Sequence, residues 1–293
     1  MKKTRRFPIV IACVLALLIA ALLFSTIKNQ MAGGRLDDLN ETDQAVLSEY
    51  NTLCASLAEE ELWDGYHLED ETVFAMPGDW GGGYLINPIQ PVSSIFAKKI
   101  ETPDNWTISV YRIAATEPGL MQFRLDGSIN TIGKSYSLLG NDVYYAKYDE
   151  ASSVAEPWSN MHFSTFLTHE SFHYFMQENW QDGSRFSTDG LTDSDIKLLG
   201  QEYSVLAQVQ EQLLSGTPDE AVLQEAAHEY VRIMDQRLAA NPEYVQQELG
   251  METTEGTATC IGIQASRRIG YDYGVMYFSN KKDVSFNDII PQY

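Results

Sequence analysis

Between Pro77 and Gly140 proline and glycine cut the chain into short apolar runs, and beyond Pro157 they are spaced widely enough to leave long helical segments between them. That change of punctuation limits the fold more than any other feature. The runs ETVFAM, GYLI, SSIFAKKI, WTISVYRIA and NDVYYAKY are rich in β-branched and aromatic residues. Separated by Pro77-Gly78, Gly81-Gly82-Gly83, Pro88, Pro91, Pro103, Pro118-Gly119 and Gly140, they predict a small mixed or antiparallel sheet. Four helical segments follow: MHFSTFLTHESFHYFMQENW, DSDIKLLGQEYSVLAQVQEQLL after a cap region at Thr192, PDEAVLQEAAHEYVRIMDQRLA, and a stretch over roughly Val245 to Arg268. Pro218 and Pro242 stand near the starts of two of them, where proline is tolerated. Ahead of the strands, Leu39, Val46, Leu47, Tyr50, Leu53, Leu57 and Leu62 recur at helical spacing, with Asn40 or Thr42 as the cap. Strands first and helices second predict an α+β fold.

At the N-terminus, Lys2, Lys3, Arg5 and Arg6 precede 18 uncharged, almost wholly apolar residues from Phe7 to Phe24. At about 1.5 Å per residue such a helix nearly matches a hydrocarbon layer of roughly 30 Å. An uncleaved anchor over residues 7–27 is favoured over a cleaved signal. The run is longer than a usual signal core, and Gln30 spoils a small-x-small site at Ala32. Val10-Ile11-Ala12-Cys13 imitates a lipoprotein box, but too few apolar residues precede Cys13. The basic flank predicts a single-pass protein of the cell membrane with its bulk extracytoplasmic, or a secreted one if the segment is cleaved. The expected division is a basic cytoplasmic tail (1–6), the anchor (7–27), a linker (28–35), an N-terminal α/β part (36–156) and a helical part (157–293).

Charge narrows the partners. The net charge is −21, and residues 36–293 carry 14 basic against 41 acidic side chains, a net −27. Such a surface repels phosphate backbones, so nucleic acid is not expected as a partner. Of three cysteines, Cys13 lies in the apolar run; Cys54 and Cys260 could pair or stay as buried thiols. No CxxC pair offers a thiolate metal site.

Within the first helical segment stands His169-Glu170-Ser171-Phe172-His173. On a helix, positions i and i+4 share a face one turn apart, so both imidazoles can address one ion. Glu170 projects beside that ion, where it can take a proton from a metal-bound water. Phe163, Phe166, Leu167, Phe172, Tyr174, Phe175 and Met176 form an apolar sleeve around the pair. Catalytic zinc needs a third protein ligand. His162 lies two turns back, too far along the axis, and reads as a packing residue; His67 falls among the strands, and His228 on a solvated helix face. A carboxylate is left. In METTEGTATCIGIQASRR, Glu252 and Glu255 stand three apart among small and apolar residues that give the segment a buried look.

HESFH followed by Glu255-Gly256-Thr257-Ala258 resembles the gluzincin metallopeptidases, in which HExxH supplies two zinc ligands and the base, and a glutamate on a later helix completes the site. The likeness covers about residues 158–275. It implies a mainly helical, zincin-like catalytic half and a zinc metallopeptidase hydrolysing a peptide or protein substrate, with Glu170 as general base. Zn2+ would be held by His169, His173 and Glu255, with Glu252 as the alternative ligand or as a hydrogen-bonding support. Two features depart from the family's aminopeptidases: 81 residues separate His173 from Glu255, and no GxMEN signature is present. Tyr271 and Tyr273, ahead of Arg267 and Arg268, are the expected donors to the oxyanion. NDVYYAKY, just before the motif helix, is the expected edge strand for β-augmentation by substrate.

Overall fold

The computed structural model describes residues 23–78, 80–180, 183 and 191–271, together with Ile11 and Ala20. The chain forms two compact units. One comprises Met1–Glu178 and Ile261–Tyr273, the other Asn179–Cys260 and Gly274–Tyr293.

In the first unit, α1 (Glu41–Leu57) starts at Asn40, whose side chain accepts the Asp43 backbone N–H at 2.8 Å, closing one of the orphan donors of a helix N-terminus. Five strands follow as the punctuation predicts: β1 (Val73–Pro77), β2 (Gly83–Ile86), β3 (Ala97–Ile100), β4 (Val110–Ile113) and, after two short interposed strands, β7 (Tyr144–Tyr148). They form one sheet in the order β3-β4-β2-β1-β7. Its pairs are antiparallel except β1 with β7, which run parallel with Phe74 opposite Tyr145. The sheet is therefore mixed.

Alternation gives the sheet two buried faces. On one, Phe74, Met76, Leu85, Ile113 and Tyr145 pack with Phe123 of α2 (Met121–Leu125), with Tyr136, and with Leu138 of the β5 (Ser137–Leu138) and β6 (Asn141–Asp142) hairpin. On the other, Tyr148 lies edge-on to Phe163 at 5.5 Å and Tyr144 edge-on to Tyr174 at 5.3 Å. Both partners belong to α4 (Phe163–Met176), which follows a short helix α3 (Glu150–Ser153). Tyr148 meets the start of α4 and Tyr144 its end, so α4 runs back along β7. Asp43 fastens α1 to the same face by accepting the hydroxyls of Tyr84 and Tyr148.

β7 ends the sheet, but its outer edge is taken. Ile129 bridges Ala146, the Lys147 N–H donates to Ser128 O at 2.7 Å, and the Tyr145 N–H donates to Asn130 Oδ1 at 2.8 Å. A substrate strand therefore finds no open ladder along NDVYYAKY.

The second unit holds α5 (Asp193–Leu214), α6 (Glu220–Ala240) and the first part of α7 (Pro242–Arg268). Thr192 and Asp195 form a reciprocal capping box at the head of α5, and Asp219 caps α6. Val205, Ala226 and Ile233 are buried between these two helices. Helix α7 is continuous, and its residues from Ile261 onward belong to the first unit.

The expected N-terminal membrane helix requires correction. Most of residues 7–27 lies outside the described residues, and among the described residues no helix is long and apolar enough to cross a membrane. The part that is described, helical over residues 23–31, packs onto protein through polar groups. Asn29 donates to Phe96 O at 3.0 Å and Gln30 to Ile95 O and Ala97 O at 2.9 and 2.8 Å, while Thr26 and Asn29 are buried. A buried amide such as that of Asn29, paired to a backbone carbonyl, fits a protein interior, where each polar group needs a partner. The fold class that stands is α+β with a small mixed sheet.

Candidate metal centre

Helix α4 has no glycine or proline over its 14 residues. Phe163, Leu167 and Phe172 are fully buried, each worth about 1.5–3 kcal/mol of apolar transfer. Phe172 is held edge-on by Trp63 and Tyr66, with ring centroids 5.6 and 5.4 Å away. The Tyr66 hydroxyl lies 2.6 Å from Ser171 Oγ and donates to Thr168 O at 3.2 Å. The turn between the two histidines is thus fixed from the side opposite the imidazoles.

His169 and His173 converge. Their Nε2 atoms are 3.1 Å apart with the rings at 80°, and with the Glu170 carboxylate these donors all lie within 4.8 Å of one another, each partly buried. Two lone pairs cannot face each other at that distance without a proton or a cation between them. Two nitrogens on one tetrahedral zinc at 2.0–2.1 Å would stand about 3.3 Å apart, so the pair is already spaced for a shared ion. Beyond it, the Gln177 Oε1 lies 2.5 Å from His173 Nδ1, and Gln177 is buried. With that oxygen as acceptor, Nδ1 carries the proton and Nε2 presents its lone pair outward, the support a metal-binding histidine needs. Gln177 was not among the expected site residues, although its place one turn beyond His173 is legible in HESFHYFMQ.

From its C-terminal part, α7 reaches this helix through Gly262. A Cβ there would stand 3.1 Å from Thr165 O and 3.5 Å from His169 Cβ, so a side chain at this position would have to push the two helices apart by a few tenths of an ångström. On α7, Glu255 precedes Gly262 by seven residues, about two turns, and so shares its face within roughly 20°. Glu255 is exposed, and of its neighbours Ala258 and Ile261 are buried while Thr259 and Cys260 are not. Glu252 is set in a different field. It too is exposed, yet desolvation first, then the Glu202 carboxylate, raise its pKa against the opposing pull of Arg237, which ties it to the acidic network of the second unit.

Tyr271 is placed elsewhere in the first unit. Its hydroxyl donates to Glu49 Oε1 at 3.0 Å and its ring stands edge-on to His162 at 5.2 Å. Arg268 donates to Ser56 Oγ and Glu60 at 3.2 and 2.8 Å. Tyr273 lies outside the described residues. His162, fully buried, has Nε2 at 3.3 Å from Glu49 Oε2 but not in hydrogen-bonding alignment. Burial pushes the ring's pKa down to about 4, so at neutral pH the contact is not an ion pair. Burial raises Glu49 as well, opposed by the Tyr271 hydrogen bond. His162 is thus a buried, neutral ring at neutral pH. Cys54 is a buried free thiol, which burial pushes up to about 12, and it is inert at neutral pH. A second group of possible donors, His67, Glu69 and Asp70, lies around a short 3-10 turn and is mostly exposed.

No protein-family model, curated protein or solved structure matches this chain.

Proposed function

We propose that this protein is a zinc metallopeptidase, with His169, His173 and Glu255 holding the ion and Glu170 as the general base. One observation carries this more than any other: two imidazole nitrogens 3.1 Å apart on adjacent turns, one of them oriented by Gln177, beside a carboxylate that the same helix holds next to the pair. A zinc ion bound there would supply Lewis acidity and lower the pKa of water to about 7. Glu170 is the group placed to take the proton and deliver it to the departing amine. Glu255 is favoured over Glu252 because it opens the Glu-Gly-x-Ala segment that carries the resemblance, whereas Glu252 answers to Glu202 and Arg237.

The purified chain should contain close to one zinc per molecule and cleave members of a quenched fluorescent peptide library. Glu170→Gln should keep the zinc and abolish cleavage. His173→Ala and Glu255→Ala should each lose zinc, while Glu252→Ala keeps it. A protein that takes up no stoichiometric zinc, or whose peptide hydrolysis survives Glu170→Gln, would sink the proposal.

A further inference from the structure

The helical residues 23–31 are packed inside out. A surface helix ordinarily turns its apolar stripe toward the protein and its polar side to water. Here Thr26 and Asn29 are buried, whereas Leu23, Phe24, Ile27 and Met31 are 55, 69, 53 and 80% exposed. At about 100° per residue those four fall within one stripe roughly 100° wide, with Thr26 and Asn29 on the opposite side. Ile95, whose carbonyl accepts Gln30, adds a fifth exposed apolar side chain. Single exposed apolar residues are ordinary, but a contiguous stripe marks a surface that something covers.

The inversion is fixed by the polar side. Asn29 Oδ1 accepts Arg112 Nε at 2.9 Å, and its carbonyl accepts Arg112 Nη2 at 2.8 Å. Lys98 Nζ donates to Gln30 O at 2.8 Å and to Ala32 O at 2.5 Å. Two cations from β3 and β4 thus meet the carbonyls at the helix C-terminus, where the helix dipole favours positive charge. Rolling the helix over to hide its apolar stripe would break all four bonds.

The chain itself says what chemistry suits the stripe. The sequence running into this helix, Phe7 to Leu22, holds no charged residue, and Lys2, Lys3, Arg5 and Arg6 precede it. Lys28 is exposed beside the stripe. Residues 36–293 carry 14 basic against 41 acidic side chains, so positive charge is concentrated where the apolar surface is. Apolar side chains edged by lysine and arginine match acyl chains beneath anionic headgroups. A second copy of so acidic a chain would have to approach against its own charge.

We propose that the outward face of residues 23–31 docks on an anionic lipid surface, lying along it with Leu23, Phe24, Ile27 and Met31 in the acyl boundary and β3 and β4 behind. The helix does not pass through the layer: its polar side stays bonded to the sheet. This docking is independent of the metal centre.

Cosedimentation of the full chain with vesicles tests it, using phosphatidylcholine alone or with a third of phosphatidylserine. The protein should bind the mixed vesicles and bind the neutral ones more weakly. Burying one large apolar side chain is worth roughly one to two decades of partitioning. The triple variant Phe24→Ser, Ile27→Ser, Met31→Ser should therefore bind at least about 10-fold more weakly, with Tm unchanged because all three side chains are exposed. Ile27→Trp reads the same face without removing apolar surface: brominated phosphatidylcholine should quench its added indole fluorescence. Failure to bind mixed vesicles overturns the proposal, as does an unquenched Ile27→Trp. Wild-type binding by the triple variant overturns it too, because the upstream run alone would then hold the lipid. A lipid-free dimer seen by light scattering, and split by the triple variant, would give the face to a second copy and overturn it equally.

Discussion

Replacing Glu248 by glutamine should change how the protein's stability depends on pH. Arg237 is 2% exposed and donates to both Glu202 and Glu248, which are 3% exposed each. One guanidinium thus faces two buried carboxylates, and it cannot neutralise both. Burial is the main cause that pushes Glu248 up to about 7; Arg237 opposes it, and Glu252 adds to it. Burial also raises Glu202, against Arg237. The excess negative charge is relieved by a proton.

The sign follows from where that proton sits. In the unfolded chain Glu248 titrates near 4.5, so between that value and about 7 the folded protein holds a proton that the unfolded chain has released. The contribution to stability is complete below pH 4.5 and disappears as pH rises through 7. The full shift is worth about 3 kcal/mol, most of which falls between pH 5 and pH 8. Against a typical total of about 5–15 kcal/mol this is large. Urea unfolding of wild type and Glu248→Gln, followed by circular dichroism at both pH values, isolates it, because the other titrating groups are common to the two proteins. Relative to the variant, wild type should lose about 2–3 kcal/mol on going from pH 5 to pH 8. An equal difference between the two proteins at both values would refute the reasoning.

Two further outcomes bear on the first unit. Gln177→Leu should weaken zinc binding about 10- to 100-fold in competition with a chelator, because His173 loses the acceptor that fixes its tautomer; unchanged affinity would mean that Gln177 does not orient the ligand. His162 titrates at about 4 when folded against 6.5 as a free side chain, so its contribution is present above pH 6.5 and is lost as pH falls toward 4. His162→Phe should therefore flatten the acid side of the Tm profile, and an acid limb identical to wild type would count against a neutral buried ring.

What the sequence disclosed was local. Helix α5 begins and ends where DSDIKLLGQEYSVLAQVQEQLL does, because Thr192 and Asp195 close the first turn through side chains three residues apart. The five strands of the main sheet fall within the five β-rich runs, because alternation and turn residues act at short range. The apolar N-terminal run misled because composition does not register how the residues that follow it, Asn29 and Gln30, pair with the backbone carbonyls of Phe96 and Ile95. The covered edge of β7 was equally hidden, since Ser128–Asn130 reaches it from a loop without strand character of its own.

The site divides in the same way. His169, Glu170, His173 and Gln177 are successive members of one helical face and its neighbour, and their geometry follows from spacing alone. That Tyr144 of β7 stands edge-on to Tyr174, beside His173, is invisible from the motif because β7 meets α4 through tertiary packing, not through any fixed offset in the chain. Glu255 lies between these cases. Its 81-residue separation from His173 carries no geometric information, and its assignment rests on the Glu-Gly-x-Ala segment alone. What the fold adds on α7 is Gly262, set against Thr165 and the Cβ of His169. The sequence did not single that glycine out, because small residues crowd the whole segment and only packing decides which of them meets another helix.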